Sequence, residues 1–446
     1  MTTLQLLFMA PLVVAFALAG LQRPLTVVLP LYAATVPFGS LLSTGLPAPL
    51  DSVSTVLGLL LMAALGLQFL VRASSPTELP ATVGFWLLFL GLAGATALWS
   101  VSPRTTEVAF RNLALLILLY ALLCLTPVDL PTLRRVESAL VLGAVAAASY
   151  GAFQFATGTL PVDDEGGGGG RFGRDLLGAN NTAAALLVPL AIALCRSVTA
   201  RTGLSRWAHG AATAMLLFGI LLTGSRGGLL ATGACLAVAT LTVERGRRRL
   251  AALGAAIVVV VALVLLIQPG GVAGRTDSTK SSGRTDIWRV AQHACRTYCL
   301  TGSGWGTFPT VYRLTLPRVP DARILERGTS YEPHNIWILI GIEAGVAGLV
   351  LAFLGLGFTL RDTIRLPRSL RGPPLAGFVA SLVASLFLSN FEYKFFWMTL
   401  MYLLVCRNVA MTMSGPRPGD AWRSRRVSEP PVAAAAPVTV DSSEER

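Results

Sequence analysis

Residues 335–358 read NIWILIGIEAGVAGLVLAFLGLGF, an apolar run with a single ionisable side chain, Glu343. A helix rises ~1.5 Å per residue, so this stretch is long enough to cross the ~30 Å hydrocarbon core of a bilayer. Comparable runs lie at 4–20, 24–39, 52–71, 81–98, 108–125, 138–158, 182–197, 207–223, 228–243, 251–267, 375–390 and 395–410. One such run could be the core helix of a soluble protein; a dozen could not. Across 446 residues, 53% are hydrophobic and 13% charged, where a soluble chain carries about a quarter charged residues. The expected fold is all-α: a polytopic membrane protein with about 12–13 transmembrane helices. One long extracytoplasmic loop is expected between the helix ending near 267 and the helix starting near 335.

The count is left at twelve or thirteen because the run at 24–39 is short and carries Pro30 and Pro37. The first run, ending AFALAG, reads as a retained span, since no Lys or Arg precedes it as a secretory signal requires. The transmembrane domain is thus expected over 1–410. Residues 411–446, rich in Pro, Ala, Ser and charge, are expected to be a disordered cytoplasmic tail.

Orientation follows from arginine in the short connections. Arg134–Arg135, Arg196 to Arg206, Arg245 to Arg249, Arg361 to Arg371 and the tail arginines can all face the cytoplasm without breaking the alternation of spans. The formal charge of +13 therefore suits anionic membrane lipid, and no nucleic-acid partner is expected. The other side receives 159–181, the turn at 223–228, the loop 268–333 and the FEYK turn at 391–394. The glycine run Gly166–Gly170 lacks the Lys-Ser/Thr ending of a phosphate loop and reads as a flexible connection.

Loop 268–333 holds nine Lys or Arg against five acids, opposite to the usual bias for a translocated segment. It also holds Trp288, Trp305, Phe308, Tyr312 and Tyr331, and aromatics beside basic residues suit sugar stacking and phosphate contact. More arginines fall on the same side: Arg171 and Arg174, just before Ala179-Asn180-Asn181, and Arg226 in the turn TGSRGG. A turn this short holds its guanidinium at headgroup depth, and Gly224, Gly227 and Gly228 would let backbone approach a ligand. Arg226 could equally be a snorkelling anchor, and Arg284 could pair with Asp286. Two or three converging guanidinium forks would neutralise a diphosphate without a metal.

Three histidines, His209, His293 and His334, and six scattered cysteines give no metal-ligand spacing, so neither a metal nor another cofactor is expected. Cys124, Cys195, Cys235 and Cys406 read as core thiols, and a Cys295–Cys299 bridge, although sterically possible, is not expected. His334 stands where the long loop meets a span, between Pro333 and Asn335. A reference pKa of ~6.5 lets it accept a proton, and nearby arginines would favour its neutral form. It is either a general base or a histidine satisfied at a helix start. Glu343, one helix stretch deeper, is expected to hold a structural partner, with Arg111 as the candidate.

Taken in order, LLTGSRGGLLA (221–231), GRTDIW (283–288), GSGWGTF (302–308) and PHNIWILIGIEAGVAGL (333–349) resemble the O-antigen ligase and O-antigen polymerase-like membrane proteins. The resemblance covers roughly residues 170–360. It implies a multi-pass, all-helical GT-C type glycosyltransferase of the bacterial cytoplasmic membrane. Such an enzyme moves a glycan from an undecaprenyl-diphosphate carrier to an acceptor hydroxyl on a lipid, protein or glycan outside that membrane, with inversion. It further implies that His334 is the catalytic base, that Arg226 and Arg284 hold the diphosphate, and that Asn335 belongs to the substrate-binding His-Asn pair. Arg171 and Arg174 fall in a segment where relatives also carry basic residues. A polymerase that extends another lipid-linked chain would use the same donor. A non-enzymatic transporter or flippase would instead place ionisable residues near the bilayer midplane.

Overall fold

The computed structural model describes residues 17–47, 50–72, 79–161, 170–244, 246–255, 284–320, 322 and 331–414. The expected first span at 4–20, the span at 251–267, the N-terminal part of the long loop, most of the glycine run and the tail beyond 414 lie largely or wholly outside those residues. Among the described residues the chain is helical, with no strand. Eight helices are long and apolar enough to cross a membrane: α1 (Pro24–Leu42), α2 (Val53–Val71), α3 (Ala81–Leu98), α4 (Pro103–Cys124), α5 (Leu130–Ala156), α6 (Ala179–Thr199), α12 (Gly345–Ile364) and α14 (Lys394–Met413). Between α6 and α12 lie α7 (Gly203–Leu222), α8 (Arg226–Thr242), α9 (Arg284–Tyr298), α10 (Phe308–Thr315) and α11 (Ile336–Glu343); α13 (Arg368–Ser385) precedes α14. This is a multi-pass membrane protein.

Two helices form the centre. Of each candidate span, 78% of the α6 and α14 windows is buried inside the protein, against 33–44% for the other six. Helix α6 is built for this place: its ANNTAAALLVPLAIAL stretch is rich in small residues, which let α7, α8 and α13 approach closely. Helix α14 contributes bulk instead, and its Trp397 joins Trp86, Phe89 and Phe391 in a cluster of tilted and edge-to-face rings with neighbouring centroids 5.0–6.4 Å apart.

Hydrogen bonds between connections define two ends of the bundle. At one, called here the basic end, Arg196 in the last turn of α6 meets Glu137 near the start of α5, and Asn408 of α14 bonds the carbonyls of Leu123 and Thr126. At the other, the loop end, Ser40 bonds the carbonyls of Asp175 and Leu176, Phe172 N–H donates to Leu222, Val101 N–H to Ser303, and Asn335 to Leu386.

The run quoted at the outset is not one continuous helix. It breaks after Glu343: Ala344 leaves helical geometry and Gly345 takes φ +70°, so α11 and α12 are separate. Gly345 is needed there because a Cβ would strike the backbone of Leu300, Thr301 and Gly302. The long loop, too, is largely structured where described, as α9 and α10. A Cys295–Cys299 disulfide closes the end of α9, contrary to the sequence expectation, because i, i+4 side chains lie on one helix face.

Candidate functional site

The turn GSGWGTF explains how the loop end is anchored. Gly302, Gly304 and Gly306 all take positive φ, at +85°, +110° and +79°. A Cβ on any of them would collide with Glu343 and Ala344, with Ser100, or with Ala109 respectively. The turn thereby drives Trp305 into the aromatic core, fully buried and edge-on to Phe89 at 5.3 Å and Phe391 at 5.5 Å. Glu343 accepts from Gly306 N–H at 3.0 Å and Phe308 N–H at 2.8 Å. The expected Arg111 partner is thus replaced by backbone amides, which suit a buried carboxylate without a second buried charge. Trp305, Phe308 and Tyr312 are all buried and cannot stack on a sugar; of the loop aromatics, Trp288 and Tyr331 keep exposed surface.

With that turn fixed, α9 and the 331–335 segment are held side by side. Trp288 Nε1–H donates to the Pro333 carbonyl at 2.8 Å, bringing Arg284, one turn earlier on α9, to the region of His334. Asn335 is the N-cap of α11: its Oδ1 accepts from Trp337 N–H at 2.9 Å and Ile338 N–H at 3.1 Å, while its Nδ2–H donates to Leu386 at 3.0 Å. Its side chain is therefore occupied in positioning the preceding residue. That residue, His334, has φ +48°, and among the described residues no other non-glycine has positive φ. Such a conformation persists only where its surroundings enforce it.

Arg226 begins α8, after a Ser225 cap that accepts from Gly228 N–H, and its side chain is exposed. Gly227 and Gly228 do not open the backbone to a ligand as expected. They face Phe387 and the Ala183 methyl, so their smallness serves helix packing. Arg171 Nε–H donates to the Thr223 carbonyl at 2.8 Å and its Nη2–H to Asn180 Oδ1 at 3.1 Å, tying it to the turn that carries Arg226. Arg174 lies one turn further along, exposed at the same end.

Arg284 sits among like charges. Burial, and then the Arg171 and Arg226 guanidinium groups, lower its pKa below the usual arginine value. Burial also pushes His334 down to about 4, with Arg284 adding to the effect, so the imidazole is neutral at neutral pH. Asp286, considered as a partner for Arg284, pairs with Arg289 at 3.3 Å instead. Arg171, Arg226, Arg284 and His334, drawn from four separate parts of the chain, thus gather at one end.

Sequence reasoning did not single out Glu332 and Glu392. Both are half-buried near this group. Glu332 is raised above the usual carboxylate range by burial; Glu392 is raised to about 7 by burial and by Glu332, against the opposing influence of Trp305. Their signal in sequence was faint: acids next to Pro333-His334 and inside the FEYK turn.

Residues 211–353 match the family model for O-antigen ligase, and this segment is an O-antigen ligase family domain. The match takes in Arg226, Arg284 and His334 and stops short of Arg171 and Arg174. That domain implies glycan transfer of the ligase or polymerase type, with lipid-linked glycan substrates. No curated protein matches the chain.

Proposed function

We propose that this protein, with its O-antigen ligase domain, transfers a glycan from a polyprenyl-diphosphate carrier to an acceptor hydroxyl at the loop end of the bundle. The grouping of Arg171 and Arg226 about Arg284, with Arg284 in turn beside a half-buried, neutral His334, supports this reading. Arg226 and Arg284, with Arg171 braced alongside, hold the diphosphate and offset the charge that grows on it as it leaves. His334 removes the proton from the acceptor hydroxyl as that oxygen attacks the anomeric carbon opposite the phosphate. The new C–O bond forms, the electrons of the old one pass to the diphosphate, and the configuration inverts. Arg174 completes the basic rim, and Asn335 holds His334 in register through its cap.

Two features support an outward-facing loop end. The arginine-rich basic end satisfies the positive-inside bias, and the Cys295–Cys299 disulfide belongs to an oxidising compartment. Transfer assayed in nanodiscs, with a polyprenyl-diphosphate oligosaccharide and a lipid acceptor, tests the reading. His334→Ala should be inactive while eluting as the wild type does; an active variant would remove the base. Deletion strains separate the two acceptor classes: long lipid-linked chains accumulate if a ligase is lost, single repeat units if a polymerase is lost.

A further inference from the structure

An open pocket of about 480 Å³ at the loop end is lined by residues that have no role in the proposed transfer. It is lined by one face of the first part of α4, through Thr105, Val108, Ala109 and Asn112, whose i, i+3, i+4, i+7 spacing puts them on a single stripe. Ser102 and Arg104 form its rim, and Glu392 reaches it from the turn before α14. The volume falls within the range of about 300–1,000 Å³ that small-molecule sites occupy.

The chemistry of this lining differs from that of the arginine group. Its charged groups are a single exposed guanidinium, Arg104, and the Glu392 carboxyl raised to about 7, so no cluster of like charge selects a strongly charged ligand. Hydroxyls, an amide and a carboxyl provide donors and acceptors, while Val108 and Ala109 offer an apolar wall to C–H groups. Glu392 Oε1 is buried and makes no hydrogen bond among the described residues, and the Trp305 indole beside the carboxyl does not meet hydrogen-bond geometry. With Oε1 unbonded, the carboxyl keeps hydrogen-bonding capacity for a ligand that enters the pocket. The cavity also adjoins the reactive centre, since Glu392 lies within electrostatic range of Glu332, two residues before His334.

We propose that this cavity binds a neutral sugar ring of the glycan substrate, with Glu392 and Asn112 bonding its hydroxyls; this rests on the glycan-transfer reading above. Either the acceptor or the donor glycan can supply the ring, and kinetics tell them apart.

The experiment titrates nanodisc-embedded protein with a panel of neutral mono- to tetrasaccharides, carrying neither lipid nor phosphate, and follows tryptophan fluorescence. Saturable binding is expected, weakened about tenfold or more by Asn112→Ala and by Glu392→Gln, and unchanged by Arg226→Ala. Asn112 is exposed, so its alanine variant folds even if Glu392→Gln does not. In the transfer assay the same two variants should raise one KM about tenfold with little change in kcat; the acceptor KM marks an acceptor site, the donor KM a donor site. No saturable binding to any saccharide, or binding indifferent to both substitutions, overturns the proposal. Transfer that proceeds while both variants behave as wild type sinks the cavity and spares the function. Saccharide binding that depends on Asn112 in a protein unable to transfer glycan does the reverse.

Discussion

The two ends of the bundle both carry arginine, but they treat it in opposite ways. At the basic end Arg134 and Arg196 share the Glu137 carboxylate at 2.8 and 2.6 Å, with the Tyr402 hydroxyl donating to its other oxygen. Arg368 pairs with Glu244 and Arg407 with Asp362. At the loop end Arg226 and Arg284 make no ion pair among the described residues, and the nearby acid Asp286 is taken by Arg289. Gathering like charges without counterions opposes folding, whereas pairing them is near neutral. The basic end is therefore arranged to be complete by itself. At the loop end, the unpaired Arg226 and Arg284 fit the proposed role of holding an anion.

Removing the proton acceptor should break this contrast most sharply. His334→Ala is expected to lower kcat by about 10²–10⁴-fold, the usual range for general acid–base assistance, with thermal unfolding unchanged. Next in size, Arg226→Ala should raise the donor KM by about 10–100-fold, corresponding to the loss of a charge-assisted hydrogen bond. Arg226→Lys should recover part of it; equal activity for alanine and wild type would leave the clamp without support.

A smaller effect concerns pH. With His334 in the proposed role of base and held at about 4, activity should fall on its account only as pH drops through about 4. Arg284→Met removes a cation that disfavours the imidazolium, so the acid limb should move up in pH, toward the free-histidine value. Since burial is the larger cause, the movement should be a fraction of a unit. A limb that stays in place would separate Arg284 from His334. The smallest effect on chemistry is expected at the other end. Glu137→Ala should destabilise the fold by about 1–3 kcal/mol, read by thermal unfolding, while the surviving protein keeps its specific activity. Loss of transfer in folded Glu137→Ala would dissolve the distinction between the ends.

Several features were legible before any coordinates. Apolar length gave the membrane-spanning character, and Arg226, Arg284 and His334 stood out because charged or titratable groups next to spans carry an energetic penalty that wants a reason. The aromatic reading of GSGWGTF was misleading. Composition cannot distinguish a tryptophan offered to a ligand from one driven inward by three left-handed glycines. Glu343 was read correctly as partnered, but its partners are amides 35 and 37 residues away in sequence, which no local pattern encodes. Glu392 was passed over because a single acid in a short turn looks solvated until its neighbours are known.

What the linear chain determined alone is the solvent it belongs in and where its helices can run, since both follow from sums over neighbouring side chains. The tertiary structure decided which arginines pair with a carboxylate and which gather with other arginines, and whether a loop aromatic faces inward or out. Those outcomes depend on distances between segments remote in sequence, and both electrostatic and packing energies are set by those distances.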